Sequence, residues 1–177
     1  HRLNKIIAVS EETRSNLVRY EKIPQAKIVV INNGIDKDGY DIHIDTAKKK
    51  QSLGLSRFDH VVGLGVRLTP QKGIIHLIHA APAILEEFPR TAFYIAGYGV
   101  LKEALMEEVE KLGLSDHFFF PGPRQDIPEI LKVLDVYVLP SEWEGLPLVL
   151  LEAMAAKRAI VATDVGANRV AVESGHS

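Results

Sequence analysis

The stretch DVYVLPSEWEGLPLVLLEAMAAKRAIVA, residues 135–162, decides the fold of this chain. A short apolar run typical of a buried strand, Asp135–Leu139, leads into a polar loop, a long apolar segment of helical length, and a second strand-like run, Ala159–Ala162. Pro147 suits the first helical turn, because the N–H that proline lacks would have no partner there. The stretch therefore predicts a strand, a loop, a helix and a strand in succession.

The same alternation runs through the chain from Val61 onward. Three more strands are predicted, at Val61–Val66, Ala92–Ala96 and His117–Phe120. The helices between them carry apolar stripes at i, i+3, i+4 and i+7 spacing, and Pro82 predicts a kink in the first. The predicted buried residues are Ile74, Leu77, Ile78, Ala81, Leu85 and Phe88, then Leu101, Leu105, Val109 and Leu112 with Gly113 as the stop, and also Met106 and Met154. This pattern predicts an α/β fold, a Rossmann-like open parallel sheet with helices on both faces.

Residues 1–44 follow a different pattern. Lys5–Val9 and Lys27–Ile31 are predicted strands around a polar helix that starts at Ser10, and residues 36–45 then lose all periodicity, as a linker does. A chain of 177 residues is ~1.2 times the usual length of a domain. We therefore interpret residues 1–44 as the tail of an N-terminal Rossmann-like domain with its linker. Residues 45–177 are interpreted as a second Rossmann-like domain, incomplete at its C-terminus.

Composition excludes several classes of protein. Lys and Arg number 21 against 23 Asp and Glu, and the one basic tract, Lys48–Lys50, has the character of a solvated helix face, so a nucleic-acid partner is disfavoured. The absence of cysteine excludes a disulfide framework, a zinc ribbon and thiol catalysis, and favours a cytoplasmic location. The longest apolar run, Leu146–Leu151, is far shorter than the ~18 residues of a membrane helix, so no transmembrane segment is expected.

Two glutamates in the deciding stretch are candidate site residues. Glu144 falls in the loop just before the predicted helix, and Glu152 falls in the second turn of that helix. Free N–H groups and the positive helix end converge beside Glu144 at the carboxyl edge of a parallel sheet, where open α/β folds place ligands. A phosphorylated or hydroxyl-rich ligand fits there. A glycosidase acid–base pair fits less well, because its two carboxyls must flank one bond.

A second motif, Arg67-Leu68-Thr69-Pro70-Gln71-Lys72-Gly73, also lies between a strand and a helix. Two cations at such a place make a site for a diphosphate, which Arg67 would bind by forked hydrogen bonds and Lys72 as a point charge. The alternative is a pair of solvated surface cations. His76 and His79 follow on the helix, opposite its apolar stripe, so they are predicted to be solvated and not to bind a metal.

Glycines mark a third motif, Gly97-Tyr98-Gly99, at the end of another strand. Missing side chains there leave space for a ligand to approach the backbone. Neither this motif nor Gly63-Leu64-Gly65 has the third glycine of a dinucleotide fingerprint, and no P-loop sequence occurs. A nicotinamide dehydrogenase and a P-loop NTPase are therefore disfavoured.

These motifs together resemble the C-terminal, donor-binding domain of GT-B glycosyltransferases of family GT4. The resemblance rests on Arg67-Leu68-x3-Lys72-Gly73, Gly97-x-Gly99, Asp126-Ile127-Pro128 and Glu144-x7-Glu152 in the setting PSxxEGLPLVLLEAMA. Lys5–Ser10 and Ile28–Asp36 are similar to the end of that family's N-terminal domain. The resemblance implies a truncated GT-B fold and transfer of a sugar, with retention, from a nucleotide-diphosphate sugar of UDP or GDP type to an acceptor hydroxyl, without a metal or other cofactor.

The resemblance also assigns roles to residues. Arg67, Lys72 and Glu144 are the expected catalytic residues: the cations hold the diphosphate in place of Mg²⁺, and Glu144 binds donor-sugar hydroxyls. Glu152 is expected to bind the ribose. The other expected donor-binding residues are Gly97, Gly99, Arg124, Gly145, Leu146, Leu148 and Val149. The expected partners are the protein's own N-terminal domain and an acceptor that is a sugar, a polysaccharide or a lipid-linked molecule, which for many relatives lies at a membrane surface.

Three positions depart from the family pattern. Val66 replaces a small residue, Ala167 replaces the second of two glycines, and Val170 takes a place usually held by Glu, so each is expected to alter the donor pocket. Because most of the acceptor-binding domain is missing from the chain, the isolated piece is expected to be inactive. Two alternatives remain: a sugar-nucleotide epimerase or glycogen-synthase-like polymerase on the same scaffold, and a non-catalytic nucleotide-sugar-binding module.

Overall fold

The computed structural model of the protein describes residues 4–173. It contains a two-stranded and a five-stranded parallel sheet. The strands are β1 (Ile6–Ala8) and β2 (Ile28–Val30) of the small sheet, and β3 (His60–Gly65), β4 (Thr91–Ala96), β5 (Phe118–Gly122), β6 (Val136–Leu139) and β7 (Ala159–Ala162) of the large one. The helices are α1 (Glu11–Arg19), α2 (Thr46–Ser52), α3 (Ile74–Glu87), α4 (Lys102–Lys111), α5 (Ile127–Val133), α6 (Leu148–Ala155) and α7 (Asn168–Ala171). The predicted α/β fold is confirmed.

The large sheet has the strand order β5, β4, β3, β6, β7. β3 pairs with β4 on one side, where Val61 lies opposite Ala92, and with β6 on the other, where Val62 lies opposite Val136. The chain moves outward from β3 in one direction through β4 and β5, and in the other through β6 and β7. The strand order therefore reverses beside β3, and a crevice for ligands is expected at the carboxyl edge of such a switch point.

Apolar side chains on the strands and helices form one core. Every residue of β4 is buried, as is typical of a central strand in a parallel sheet covered by helices. Phe93 of β4 stacks on Phe118 of β5, with 4.6 Å between the ring centroids. The stripe of α3 is buried at Ile74, Leu77, Ile78 and Ala81, and α3 continues through Pro82 to Glu87.

Several apolar residues that the sequence predicted to be buried are exposed. Phe88 and Leu112 each follow the last residue of a helix, so their side chains leave the stripe. Gly113 has φ +71° and ends α4 as predicted. The core prediction for Met106 and Met154 is wrong. Each follows a buried residue directly and so points ~100° away from it around its helix.

The basic tract of α2 is also less solvated than predicted. Lys48 is exposed, but Lys49 is half-buried. Its ammonium contacts the carboxylates of Asp126 (2.6 Å) and Glu129 and so joins α2 to the start of α5. The prediction of a solvated face is therefore wrong for Lys49.

The N-terminal unit consists of β1, α1 and β2. Ser10 caps α1, because its hydroxyl oxygen accepts the N–H of Thr13 (3.0 Å). The segment after β2 joins this unit to the large sheet. The side-chain amide of Asn33 donates to the carbonyl of Leu146 (2.6 Å), and Lys157 donates to the carboxylate of Asp41 (2.8 Å). These contacts bring the segment after β2 beside α6 and the loop that precedes it.

Candidate functional site

Two loops meet at the carboxyl edge of the large sheet, where the strand order reverses. Residues 66–73 follow β3, and residues 140–147 follow β6. The N–H of Glu142 donates to the carbonyl of Gln71 (2.8 Å), and the side-chain amide of Gln71 donates to the carbonyl of Trp143 (3.0 Å). The motif around Lys72 and the motif around Glu144 therefore form one site.

Two glycines allow the backbones around this site to approach each other. Gly73 has φ +56°, and a Cβ there would lie 2.0 Å from the carbonyl oxygen of Pro140. Gly166, in the turn after β7, also has φ +56°, and a Cβ there would lie 2.0 Å from the carbonyl oxygen of Glu144. A residue with a side chain fits neither place without a backbone shift. The loop after β6 is thus enclosed by the loop after β3 and the turn after β7.

An ion pair between Lys72 and Glu144 lies at the centre of the site. Lys72 Nζ contacts Glu144 Oε1, and the hydroxyl of Ser141 donates to the same oxygen (2.7 Å). The side chains of Lys72 and Glu144 are 11% and 5% exposed. Sequence reasoning named both charged residues but assigned no role to Ser141, although Ser141 stands in the PSxxEG part of the motif. An ammonium has three donors, so Lys72 keeps N–H groups for a ligand.

Arg67 differs from Lys72 in being exposed. Among residues 4–173, no hydrogen bond or ion pair engages its guanidinium. It lies two residues after the end of β3 and therefore at the same edge of the sheet as the ion pair. A guanidinium without a protein partner has its full fork of donors available to an anion such as phosphate.

Helix α6 presents its N-terminus to the site. It begins at Leu148, and Pro147 is the residue before it. The prediction that Pro147 lies in the first helical turn is therefore wrong. The first backbone N–H of this helix that donates a hydrogen bond is that of Leu150, and its acceptor is the carbonyl of Pro147 (3.2 Å). Within residues 4–173, no protein acceptor serves the N–H groups of Gly145, Leu146, Leu148 and Val149. Such N–H groups attract anions.

Glu152 lies in the second turn of α6, as predicted, and has a partner that the sequence did not suggest. The hydroxyl of Tyr40 donates to Glu152 Oε1 (2.9 Å). Burial and the neighbouring Glu152 carboxylate raise the pKa of Tyr40 to about 12. Burial also raises the pKa of Tyr137 on β6, and the charges of Glu152 and Glu144 add to that rise. Both glutamates therefore lie within electrostatic reach of one buried phenol.

The glycines after β4 have a structural role that sequence reasoning missed. A Cβ at Gly97 would lie 1.8 Å from the carbonyl oxygen of Val66, and one at Gly99 would lie 2.3 Å from that of Leu68. The space predicted for a ligand is thus filled, at these positions, by the backbone of the loop after β3. A contact of either glycine with a nucleotide stays a prediction.

Arg124 lies after β5 and is already engaged. Its Nε and Nη2 donate to the two carboxylate oxygens of Asp126 (2.8 and 2.6 Å). These bonds, together with Lys49, hold the pKa of Asp126 well below its ordinary range. A ligand contact by Arg124 would therefore use its remaining N–H donors.

The remaining candidate positions are distributed around the site. Val66 packs in the hydrophobic core, Ala167 is buried, and Val170 is exposed. His76 and His79 are exposed as predicted, and they contact Glu142 and Glu108. Over residues 4–173, no three His, Asp or Glu side chains gather as metal ligands would, and no helix has the length and apolar character to span a bilayer.

Comparison with known proteins gives the relatives of this chain. Residues 45–177 match the family described as Glycosyl transferases group 1, and residues 1–38 match the family described as Glycosyltransferase Family 4. The chain is 33% identical over 174 residues to the UDP-Gal:alpha-D-GlcNAc-diphosphoundecaprenol alpha-1,3-galactosyltransferase of Escherichia coli, covering 96% of this chain and 45% of that protein. It is 34% identical over 179 residues to the lipopolysaccharide core biosynthesis mannosyltransferase LpsB of Rhizobium meliloti, with coverages of 98% and 49%. The chain thus spans about half the length of these curated relatives.

A solved structure agrees with both the sequence matches and the fold. Anabaena Alr3699/HepE in complex with UDP and glucose superposes with a TM-score of 0.88 at 28% identity, covering 97% of this chain and 47% of that one. The same Anabaena protein in complex with UDP-glucose gives a TM-score of 0.87. Because the first family match covers most of its length, the chain belongs to the family of group 1 glycosyl transferases.

Proposed function

We propose that the chain is the donor-binding part of a retaining glycosyltransferase of family GT4, which moves a sugar from a nucleotide-diphosphate sugar to an acceptor hydroxyl. One observation carries the proposal: two loops at the switch point of the sheet hold a fixed ammonium together with a guanidinium and backbone N–H groups that have no partner among residues 4–173. This set of donors suits a diphosphate. The family of the chain and the UDP in the Anabaena neighbour support a nucleotide sugar as its ligand.

In this proposal, Arg67 and Lys72 bind the diphosphate. Negative charge develops on the diphosphate when its bond to the sugar breaks. Cations that are in place before the reaction stabilise this charge without a cost of reorganisation. The ion pair with Glu144 keeps Lys72 in such a place, and the two cations take the part that a bound Mg²⁺ takes in metal-dependent transfer.

The two glutamates are assigned to the carbohydrate parts of the donor. Glu144 Oε1 is engaged by Lys72 and Ser141, whereas Oε2 has no hydrogen-bond partner within residues 4–173, so we assign Oε2 to a donor-sugar hydroxyl. Glu152 is assigned to the ribose. The free N–H groups of Gly145, Leu146, Leu148 and Val149 are assigned to the phosphates and sugar, and Gly97, Gly99 and Arg124 to the border of the nucleotide.

The acceptor side is proposed to lie on an N-terminal domain of the same protein. The chain spans about half of the relatives it matches, and its first residues match a glycosyltransferase family of their own. We therefore expect no turnover by this chain without such a domain. The location we propose is the cytoplasm, with peripheral association at the inner face of the membrane and a sugar, polysaccharide or lipid-linked acceptor.

Calorimetric titration with UDP, GDP and ADP tests the proposed function. One of them is expected to bind, and Arg67→Ala is expected to weaken that binding roughly ten- to hundred-fold, since a charge-assisted hydrogen bond contributes ~1.5–3 kcal/mol. The matched control is Arg90→Ala. Arg90 is exposed and precedes β4 at the opposite edge of the sheet, so its loss is expected to leave the affinity unchanged. The proposal is refuted if none of the three nucleotides binds or if Arg67→Ala binds as tightly as the unchanged protein.

A further inference from the structure

The segment between the two sheets places the side chain of Tyr40 against Glu152 of the site. Tyr40 and Glu152 are separated by 112 positions in the sequence, yet the Tyr40 hydroxyl lies 2.9 Å from Glu152 Oε1. Because an ionised carboxylate has no proton to give, the phenol is the donor. Within residues 4–173, no other side chain or backbone group bonds to this carboxylate, so Oε2 is left open.

Tyr40 is held in this place from both sides. Before it, a single 3₁₀ turn spans Lys37–Gly39, and the N–H of Tyr40 donates to the carbonyl of Lys37 (3.0 Å). After it, the carboxylate of Asp41 accepts a hydrogen bond from Lys157 (2.8 Å) and lies 3.6 Å from Lys132. The ring of Tyr40 packs against the hydrophobic core. The hydroxyl is therefore fixed by its surroundings, independently of Glu152.

We propose that Tyr40 is a positioning residue of the donor site: its hydroxyl fixes one oxygen of Glu152, so that the other is presented to the ribose hydroxyls of a nucleotide. The inference rests on the proposed function, which assigns Glu152 to the ribose. A glutamate on a helix has several rotamers, and ordering it when a ligand binds costs side-chain entropy. The bond from Tyr40 orders Glu152 before the ligand arrives, and this preorganisation strengthens binding.

The opposite role for Tyr40 predicts the opposite result. A hydroxyl that took the place of a ribose hydroxyl would compete with the nucleotide, and its removal would tighten binding. Tyr40 engages Oε1 alone, whereas a carboxylate has two oxygens that each accept hydrogen bonds. Positioning is therefore the role that the single observed bond supports.

The test compares two nucleotides in two variants. The probes are the ribonucleoside diphosphate that binds best among UDP, GDP and ADP, and its 2′,3′-dideoxy counterpart, which lacks the hydroxyls assigned to Glu152. Tyr40→Phe is expected to weaken binding of the ribonucleotide roughly 3- to 10-fold and to leave binding of the dideoxynucleotide unchanged. Tyr20→Phe is the matched control, because Tyr20 is exposed and its hydroxyl makes no hydrogen bond within the described part of the chain.

A second variant separates positioning from a general effect on folding. In protein that already carries Glu152→Gln, the added change Tyr40→Phe is expected to alter ribonucleotide affinity less than it does alone, since the two residues act as a unit. Equal losses for both nucleotides, unchanged affinity or tighter binding in Tyr40→Phe would each overturn the inference while leaving the proposed function standing. If the unchanged protein binds none of the nucleotides, the proposed function and the inference both fail.

Discussion

Lys72 and Glu144 form an ion pair that is almost closed off from solvent, although 72 positions separate them in the sequence. The pair joins the loop after β3 to the loop after β6 across the switch point of the sheet. Removing both charges from water is costly, and their attraction offsets that cost only while both partners are present. The geometry of the candidate site and the stability of the fold are therefore linked through this one contact.

Replacing one partner of this pair is expected to destabilise the protein strongly. In Lys72→Met, the Glu144 carboxylate stays buried without a cation, and the free energy of unfolding is expected to fall by ~3–5 kcal/mol in urea denaturation. The double variant Lys72→Met/Glu144→Gln removes both charges and is expected to recover part of the loss. Arg169→Met, at the exposed pair with Asp164, is the control and should leave the urea midpoint unchanged. A loss in the double variant as large as that in Lys72→Met alone would contradict this account.

The glycine after β7 is expected to be irreplaceable for a steric reason. In Gly166→Ala, the new Cβ would lie 2.0 Å from the carbonyl oxygen of Glu144, so the loop must shift. Gly54→Ala is the matched control, because Gly54 has φ +76° but open space around its Cβ position. Left-handed backbone alone costs ~1–2 kcal/mol, which is the expected loss for Gly54→Ala. A distinctly larger loss for Gly166→Ala in urea unfolding is expected, and equal losses in the two variants would show that the clash is relieved.

Asn33 is expected to contribute to the stability of the protein by holding the loop before α6, whereas its neighbour Asn32 is not. Asn33 donates to the carbonyl of Leu146 (2.6 Å), and Leu146 is buried, so Asn33→Ala leaves a carbonyl without its partner. The expected loss in free energy of unfolding is ~1–3 kcal/mol. Asn32 is exposed and makes no such bond to any residue from 4 to 173, and Asn32→Ala is expected to stay within ~0.5 kcal/mol of the unchanged protein. Urea titrations of the two variants measure this difference, and similar losses of free energy of unfolding would contradict the role given to Asn33.

Much of the fold could be predicted because local patterns determine it. The strands of the large sheet are short apolar runs, and α3 carries its buried residues at helical spacing. The meeting of Lys72 and Glu144 was also foreseeable in outline, because both follow parallel strands, whose carboxyl ends lie at one edge. The exposure of Met106 was not foreseeable, because the sequence alone does not distinguish an apolar residue one position off the buried stripe from one that lies on it.

The contacts that were missed depend on long-range arrangement. Tyr40 and Asn33 lie in a segment without periodicity, and nothing local shows that this segment runs beside α6. The sequence predicted that Gly97 leaves space for a ligand. A glycine that leaves space for a ligand cannot be distinguished by sequence from one that leaves space for another backbone segment. Only the packing of the loop after β3 distinguishes these two cases.

The stability of the protein is expected to depend on Asp126 in a pH-dependent way. Bonds from Arg124 and Lys49 hold the pKa of Asp126 below its ordinary value of 3.8. Because the pKa is lower in the folded state than in the unfolded one, the stabilisation is fully present above the unfolded value and is lost as the pH falls through the folded value. Asp126→Asn is therefore expected to lower the free energy of unfolding by a constant amount from about pH 7 to about pH 5, and by less below pH 3.8. Urea unfolding of both proteins across this range measures the difference, and a difference that persists unchanged at the acid end would show that the ionised carboxylate is not its cause.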